Sequence, residues 1–82
     1  MIRLTPRLCR AARALAGIDQ SELAQIADVS RSTIAAFEIK DEKARLYRDN
    51  NQAIVSAFEL VGILFISENG GGAGLRFKEP RS

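Results

Sequence analysis

The stretch Gln20-Ser-Glu-Leu-Ala-Gln-Ile-Ala-Asp-Val-Ser-Arg-Ser-Thr-Ile-Ala-Ala-Phe-Glu38 decides the fold of this 82-residue chain. Asp19 and Glu22 stand in capping-box spacing, with Asp in place of the usual Ser or Thr, so a helix starts after Asp19. Leu23, Ala24, Ile26 and Ala27 recur at helical spacing and make its expected inner face. Asp28 falls where that helix must turn, and Asp tolerates a left-handed backbone better than most residues, though less well than Gly. Ser30 then caps a further helix, Arg31 to Glu38. Ile34 and Phe37 point inward at i and i+3, which leaves Arg31, Ser32, Ala35 and Ala36 for the outer face. The stretch reads as two short helices joined by a tight turn, the second with a small, polar leading end.

Upstream, Thr5-Pro6 is an N-cap followed by Pro in the first turn, where a missing N–H costs nothing. Leu8, Cys9, Ala12, Leu15 and Ala16 follow at helical spacing, and Gly17 supplies a left-handed C-cap. Downstream, residues 39–48 are charged and aperiodic, and predict a loop with room for one helical turn. Asp49 or Asn50 is the expected cap of a fourth helix with the stripe Ile54, Val55, Phe58 and Val61, ended by Gly62. The period then changes. Ile63-Leu-Phe-Ile66 is β-like, 68–74 is a turn, and Leu75-Arg-Phe-Lys78 alternates apolar and basic residues, so a β-hairpin is expected, with 79–82 as a frayed tail. The glycines of the turn are followed by a strand pattern and lack a Gly-Lys-Ser/Thr ending, which argues against a phosphate loop.

The composition, 46% hydrophobic and 27% charged, is that of a globular domain. A chain this short buries only about 60–65% of its unfolded surface, so one modest core is expected, and oligomerisation is a common supplement. Net charge is +2, unevenly placed. Arg3, Arg7, Arg10 and Arg13 precede the central stretch without an acid among them, and Lys40, Lys43, Arg45 and Arg48 follow it against Asp41 and Glu42. Two basic clusters flanking paired helices suit phosphate contact on both sides of a groove. Cys9 is the single cysteine and His is absent, so neither an intrachain disulfide nor a His-activated thiol is available. Cys9 is expected to pack as a small buried hydrophobe. The first residues are peppered with Arg and lack the apolar stretch of a signal peptide, and no apolar run reaches the roughly 18–20 residues of a membrane span. No metal-ligand cluster, paired acidic constellation or cofactor motif is visible, so an enzyme is not expected.

The pattern resembles the helix-turn-helix family of Cro and the lambdoid phage repressors, also called the xenobiotic-response-element family. Arg10, Arg13, Gly17, Gln20, Leu23, Ala24, Ala27, Val29, Ser30, Thr33, Ile34, Phe37 and Glu38 carry the resemblance, which covers residues 7–38 well and 49–66 more loosely. The hairpin with Asn69-Gly-Gly-Gly-Ala-Gly74 is similar to tails of small bacterial members. The resemblance implies a mainly α fold: a four-to-five-helix, lambda-repressor-like DNA-binding domain with a C-terminal β-hairpin. On this reading residues 1–82 form one domain, with the helix-turn-helix at about 19–38 and the hairpin at about 63–78 serving dimerisation.

The resemblance also implies residue roles. Gln20 would bind a phosphate and buttress the recognition helix. Arg31 and Ser32 lie where the family reads base edges, Ala36 lies where a methyl meets a thymine methyl, and Thr33 is within reach of phosphate. Lys40, Lys43 and Arg45 lie where the following loop contacts the backbone. Ser30 and Ala35 complete the expected DNA-facing set. Arg13 and Glu38 match a partly buried salt bridge between the first and third helices. Two departures stand out: Asp28 replaces the usual turn Gly and puts an acid near DNA, and residues 39–48 fall in a loop where the family varies. Independently of the family, an Arg at the start of a groove-bound helix can give two donors to guanine O6 and N7, a contact worth about 1–3 kcal/mol of discrimination. Small neighbours at 32, 35 and 36 let that helix sit deep in the groove, and helix N-termini attract phosphate.

The expected function is sequence-specific double-stranded DNA binding by a dimeric regulator, a simple cytoplasmic and nucleoid-associated repressor without cofactor or metal. The dimer forms through the hairpin and the fourth helix and reads a palindromic operator. Two alternatives stay open. One is the antitoxin of a toxin–antitoxin pair, which also binds DNA but neutralises a protein partner with its C-terminal segment. The other is a protein-interaction module that has lost DNA binding, for which Asp28 and the low net charge speak.

Overall fold

The computed structural model describes residues 2–67 and 71–79. Among these residues four helices precede one hairpin: α1 Pro6–Ala16, α2 Gln20–Ala27, α3 Arg31–Glu38, α4 Arg48–Leu60, β1 Ile63–Ile66 and β2 Gly74–Phe77. The fold is therefore mainly helical with a C-terminal hairpin, at the lower of the two expected helix counts. Part of the expected turn, residues 68–70, and most of the tail, residues 80–82, lie outside the described residues.

Local chemistry sets the first three helices. Thr5 Oγ1 accepts from Leu8 N at 3.1 Å with Pro6 in the first turn, and Gly17 closes α1 at φ 73°. Asp19 and Glu22 make the reciprocal capping box, at 2.8 and 3.1 Å. Ser30 Oγ accepts from Thr33 N at 3.1 Å. Each such cap contributes about 1 kcal/mol. Asp28 sits between α2 and α3 at φ 56° and ψ 44°, and it alone of the described non-glycine residues has positive φ.

Two expectations about the helices need correction. α4 starts before Asp49 and Asn50, at Arg48, with Tyr47 at the N-cap and no side-chain cap bond. Tertiary burial overrides the local cap preference here. Leu46 is buried just before the helix, and the buried Asn51 in its first turn accepts from Leu4 N at 2.9 Å and donates to Ile2 O at 2.8 Å. These contacts clamp the N-terminal segment onto α4 and fix where the helix begins. Ile26, expected on the inner face of α2, is exposed, because α2 turns Leu23 rather than Ile26 into the core.

The buried core comprises Leu4 before α1, Cys9 and Ala12 of α1, Leu23 of α2, Ile34 and Phe37 of α3, Leu46 of the loop, Ile54, Val55, Ala57 and Phe58 of α4, and Ile63 of β1, with Leu75 and Phe77 of β2 packed against it. Each large apolar side chain buried this way contributes about 1.5–3 kcal/mol. Residues 39–47 contain no helical turn; Lys43 N donates to Asp41 Oδ1 at 2.8 Å and Ala44 N to Asp41 O at 3.0 Å. The hairpin is antiparallel, with Ile63 opposite Phe77 and Phe65 opposite Leu75. β2 begins one residue earlier than the alternation predicts. β1 packs on α4 and β2 on α1, with the Phe58 and Phe65 rings edge to face at 5.7 Å.

Candidate nucleic-acid interface

α2 packs on α3 and on α4, and α1 packs on α3, so α3 is held by its inner face while its leading end stays open. Ile34, Phe37 and Glu38 are buried. Arg31, Ser32 and Ala36 are exposed, and Thr33 and Ala35 are half-buried. The Ser30 hydroxyl caps α3 and also bonds the Thr33 hydroxyl at 2.8 Å, which ties both to the helix start.

Two open clefts flank α3. Arg13, Asp19, Gln20, Ser21 and Arg31 line the first, which gathers the N-terminal ends of α2 and α3. Thr33, Ala36, Phe37, Lys40, Arg45, Leu46, Tyr47 and Asn50 line the second. The fold thus brings Gln20 to Arg31, and brings Thr33 and Ala36 to Lys40 and Arg45. Lys43 is exposed but lines neither cleft. The Arg45 guanidinium donates to Glu42 O at 2.6 Å and Ala44 O at 2.8 Å, so part of its donor set is used within the loop. Among the described residues, the Arg31 and Lys40 side chains form no ion pair.

A buried carboxylate stands behind this surface. Glu38 is 2% exposed. Its Oε2 accepts from Arg13 Nε at 2.8 Å and from Cys9 Sγ at 3.1 Å, and its Oε1 accepts from Arg13 Nη2 at 2.7 Å and Gln20 Nε2 at 2.9 Å. Arg10 Nη1 donates to the Glu38 main-chain oxygen. Burial pushes the Glu38 carboxyl up, but the hydrogen bonds from Arg13, Gln20 and Cys9 and the Arg13 charge outweigh it, holding the group below its ordinary value. The hydrogen bond to Glu38 likewise raises Arg13 against the desolvation that lowers it. Burial, then the Glu38 hydrogen bond and charge, drive the Cys9 thiol far up, so it stays protonated and serves as a donor.

This cluster joins α1, α2 and α3 through side chains from each. It fixes the Gln20 amide against Glu38, in the same cleft that Arg31 lines. Sequence reading placed Arg13 and Glu38 together but missed Cys9 and Arg10 as further partners of Glu38. It also missed Tyr47, 86% exposed at the uncapped start of α4. An aromatic next to Leu46 reads as core, and nothing local signals otherwise. No helix is long and apolar enough to cross a membrane, and no group of metal-ligating side chains is assembled, among the described residues.

Capped short helices, a left-handed turn at Asp28, a buried Arg–Glu tie and an open α3 leading end together form a helix-turn-helix. No curated protein sequence matches the chain. Residues 10–44, from α1 through the loop after α3, match a helix-turn-helix family model. Over this segment the match supports a DNA-binding helix-turn-helix of the Cro and lambda-repressor type.

Proposed function

We propose that the protein is a sequence-specific transcriptional regulator of double-stranded DNA, acting as a dimeric repressor. The open leading end of α3 carries this reading: Arg31 and Ser32 are exposed there, between a cleft holding Gln20 and a cleft holding Lys40 and Arg45. α3 enters the major groove with Arg31 and Ser32 against base edges and Ala36 further along. Gln20 and Thr33 meet phosphates at the groove edge, and Lys40, Lys43 and Arg45 meet the neighbouring backbone. Ser30 and Ala35 keep the helix start short and close. Two copies related by a two-fold axis set their recognition helices about 34 Å apart and read a palindrome. Residues 1–82 act as one domain, with the hairpin and α4 joining the copies.

Selection of the purified protein on a random duplex library at near-physiological salt tests this. Recovery of a palindrome, with binding that falls steeply as salt is added, is the expected result. No enrichment by a well-folded protein sinks the reading and favours an interaction module or a partner-dependent antitoxin.

A further inference from the structure

We infer that Glu42 is a positioning residue for DNA contact. Its carboxylate fastens the loop 39–47 to the first turn of α1, and its main chain sets the Arg45 guanidinium at the second cleft beside α3. This rests on the DNA-binding reading above and names what holds one side of that surface in place.

The loop has little else to hold it. Between Glu38 and Leu46 no side chain is buried, and Ala44 is the apolar one that packs against the core. Polar ties take over. Arg10 Nη1 donates to the Glu38 main-chain oxygen, Arg7 N donates to Glu42 Oε1 at 3.0 Å, and Arg3 Nη2 donates to Leu46 O at 3.1 Å. Rising positions 3, 7 and 10 meet falling positions 46, 42 and 38, so the loop runs antiparallel along the start of the chain. The Arg3 and Arg10 guanidiniums, which charge alone would assign to phosphates, thus direct donors to main-chain oxygens at the two ends of the loop.

The middle tie is the one made by a loop side chain. In the first turn of α1, Pro6 has no N–H, Leu8 N donates to Thr5 Oγ1 and Cys9 N donates to Thr5 O, which leaves Arg7 N. Glu42 accepts from it. A carboxylate at a helix N-terminus is favoured by the free N–H groups and by the helix dipole. The Arg7 side chain adds little, because its Nε lies 4.0 Å from Glu42 Oε1 and the two side chains are 76% and 42% exposed. Glu42 therefore bonds the helix end rather than pairing with an Arg.

The same residue reaches the proposed DNA face. Glu42 O accepts from Arg45 Nη1 at 2.6 Å, so one residue joins α1 to the Arg45 guanidinium. Arg45 and Lys40 line the second cleft together with Thr33 and Ala36 of α3. Two effects of Glu42 on DNA binding oppose each other. Its charge repels phosphates, but at physiological salt an exposed charge is screened beyond about 8 Å. Its bonds place Arg45, and a displaced Arg45 loses its phosphate contact outright. The positional effect is the larger, so removing this acid weakens binding.

The test is duplex binding by the full chain, on the duplex recovered by selection, over a range of salt. Glu42→Ala should bind about 5- to 10-fold more weakly, with a salt slope lower by about 1, although it makes the protein more positive. Glu42→Gln keeps a side-chain oxygen for Arg7 N and should recover most of the affinity. In an Arg45→Ala background Glu42→Ala should cost nothing further, because the two residues act through one contact. Should Glu42→Ala fail to fold, Glu42→Asp keeps the charge and shortens the reach, and it should also bind more weakly than the wild type. Tighter binding by Glu42→Ala overturns the inference, as do losses that add fully with those of Arg45→Ala, or wild-type affinity in Glu42→Asp. A wild-type chain that selects no duplex removes the DNA-binding reading and this inference together. A wild-type chain that selects a duplex, beside a Glu42→Ala variant that binds it more tightly, removes the inference alone.

Discussion

Glu38 of α3 accepts two parallel hydrogen bonds from the Arg13 guanidinium of α1, at 2.8 and 2.7 Å, with the carboxylate buried and the Arg13 side chain 21% exposed. Removing one partner of such a pair leaves the other charge buried without compensation. Glu38→Ala also strands the donors of Cys9 and Gln20. We expect it to destabilise the fold by about 3 kcal/mol, read from a lower urea midpoint at unchanged slope. A loss below about 0.5 kcal/mol would show that the pair behaves as an ordinary surface contact.

The same carboxylate sets an acid sensitivity. Its folded value lies below the ordinary value of about 4.3. Its contribution is therefore fully present above the unfolded value and is lost as pH falls through the folded one. Glu38→Gln should lower stability near neutrality and flatten its decline on acidification. Parallel slopes for the two proteins between about pH 5 and about pH 2 would assign the acid sensitivity to other carboxylates.

Cys9 is fully buried and its thiol is held protonated by burial and by Glu38. The thiolate is the reactive form, so a thiol reagent should modify the native protein only through opening of the fold. Labelling rates should rise with denaturant in step with unfolding. Fast labelling in buffer, with circular dichroism unchanged, would contradict the packing of α1 on α3.

Arg31 is exposed at the leading end of α3 and forms no ion pair among the described residues. Arg31→Ala should cost about 1–3 kcal/mol of binding on the preferred operator and relax preference at one base pair of each half-site. Equal weakening on every sequence, with a smaller salt slope, would make it a phosphate contact instead.

Asp28 holds a left-handed turn at φ 56° and is exposed. Asp28→Gly should stabilise the fold by roughly 0.5–1 kcal/mol, because Gly adopts this backbone at no steric cost. Losing an acid near the proposed DNA face should also tighten duplex binding at low salt. A less stable variant would mean that the conformational freedom Gly adds to the unfolded chain outweighs the relief.

Much of this protein was legible from residues in order, because much of it is decided locally. Thr5, Asp19 and Ser30 announce helix starts through side chains that reach only three residues along the chain. Gly17 and Asp28 announce stops through their tolerance of a left-handed backbone. The change of period after Gly62 marks the hairpin. The spacing of Ile34 and Phe37 leaves Arg31, Ser32 and Ala36 outside, where they are found.

Tertiary structure decided what depends on residues far apart in sequence. α4 begins at Arg48 because Asn51 must reach Leu4 and Ile2, a demand that no local cap signal carries. Ile26 lies outside because the short α2 has room to bury only its Leu23 face. Cys9, Arg10, Arg13 and Gln20 converge on Glu38 from positions 18 to 29 residues away, and only the packing of α1 and α2 on α3 brings them within hydrogen-bond range. Caps and turns act through neighbours and are written in neighbours. A buried charge must be satisfied by whatever the fold sets beside it.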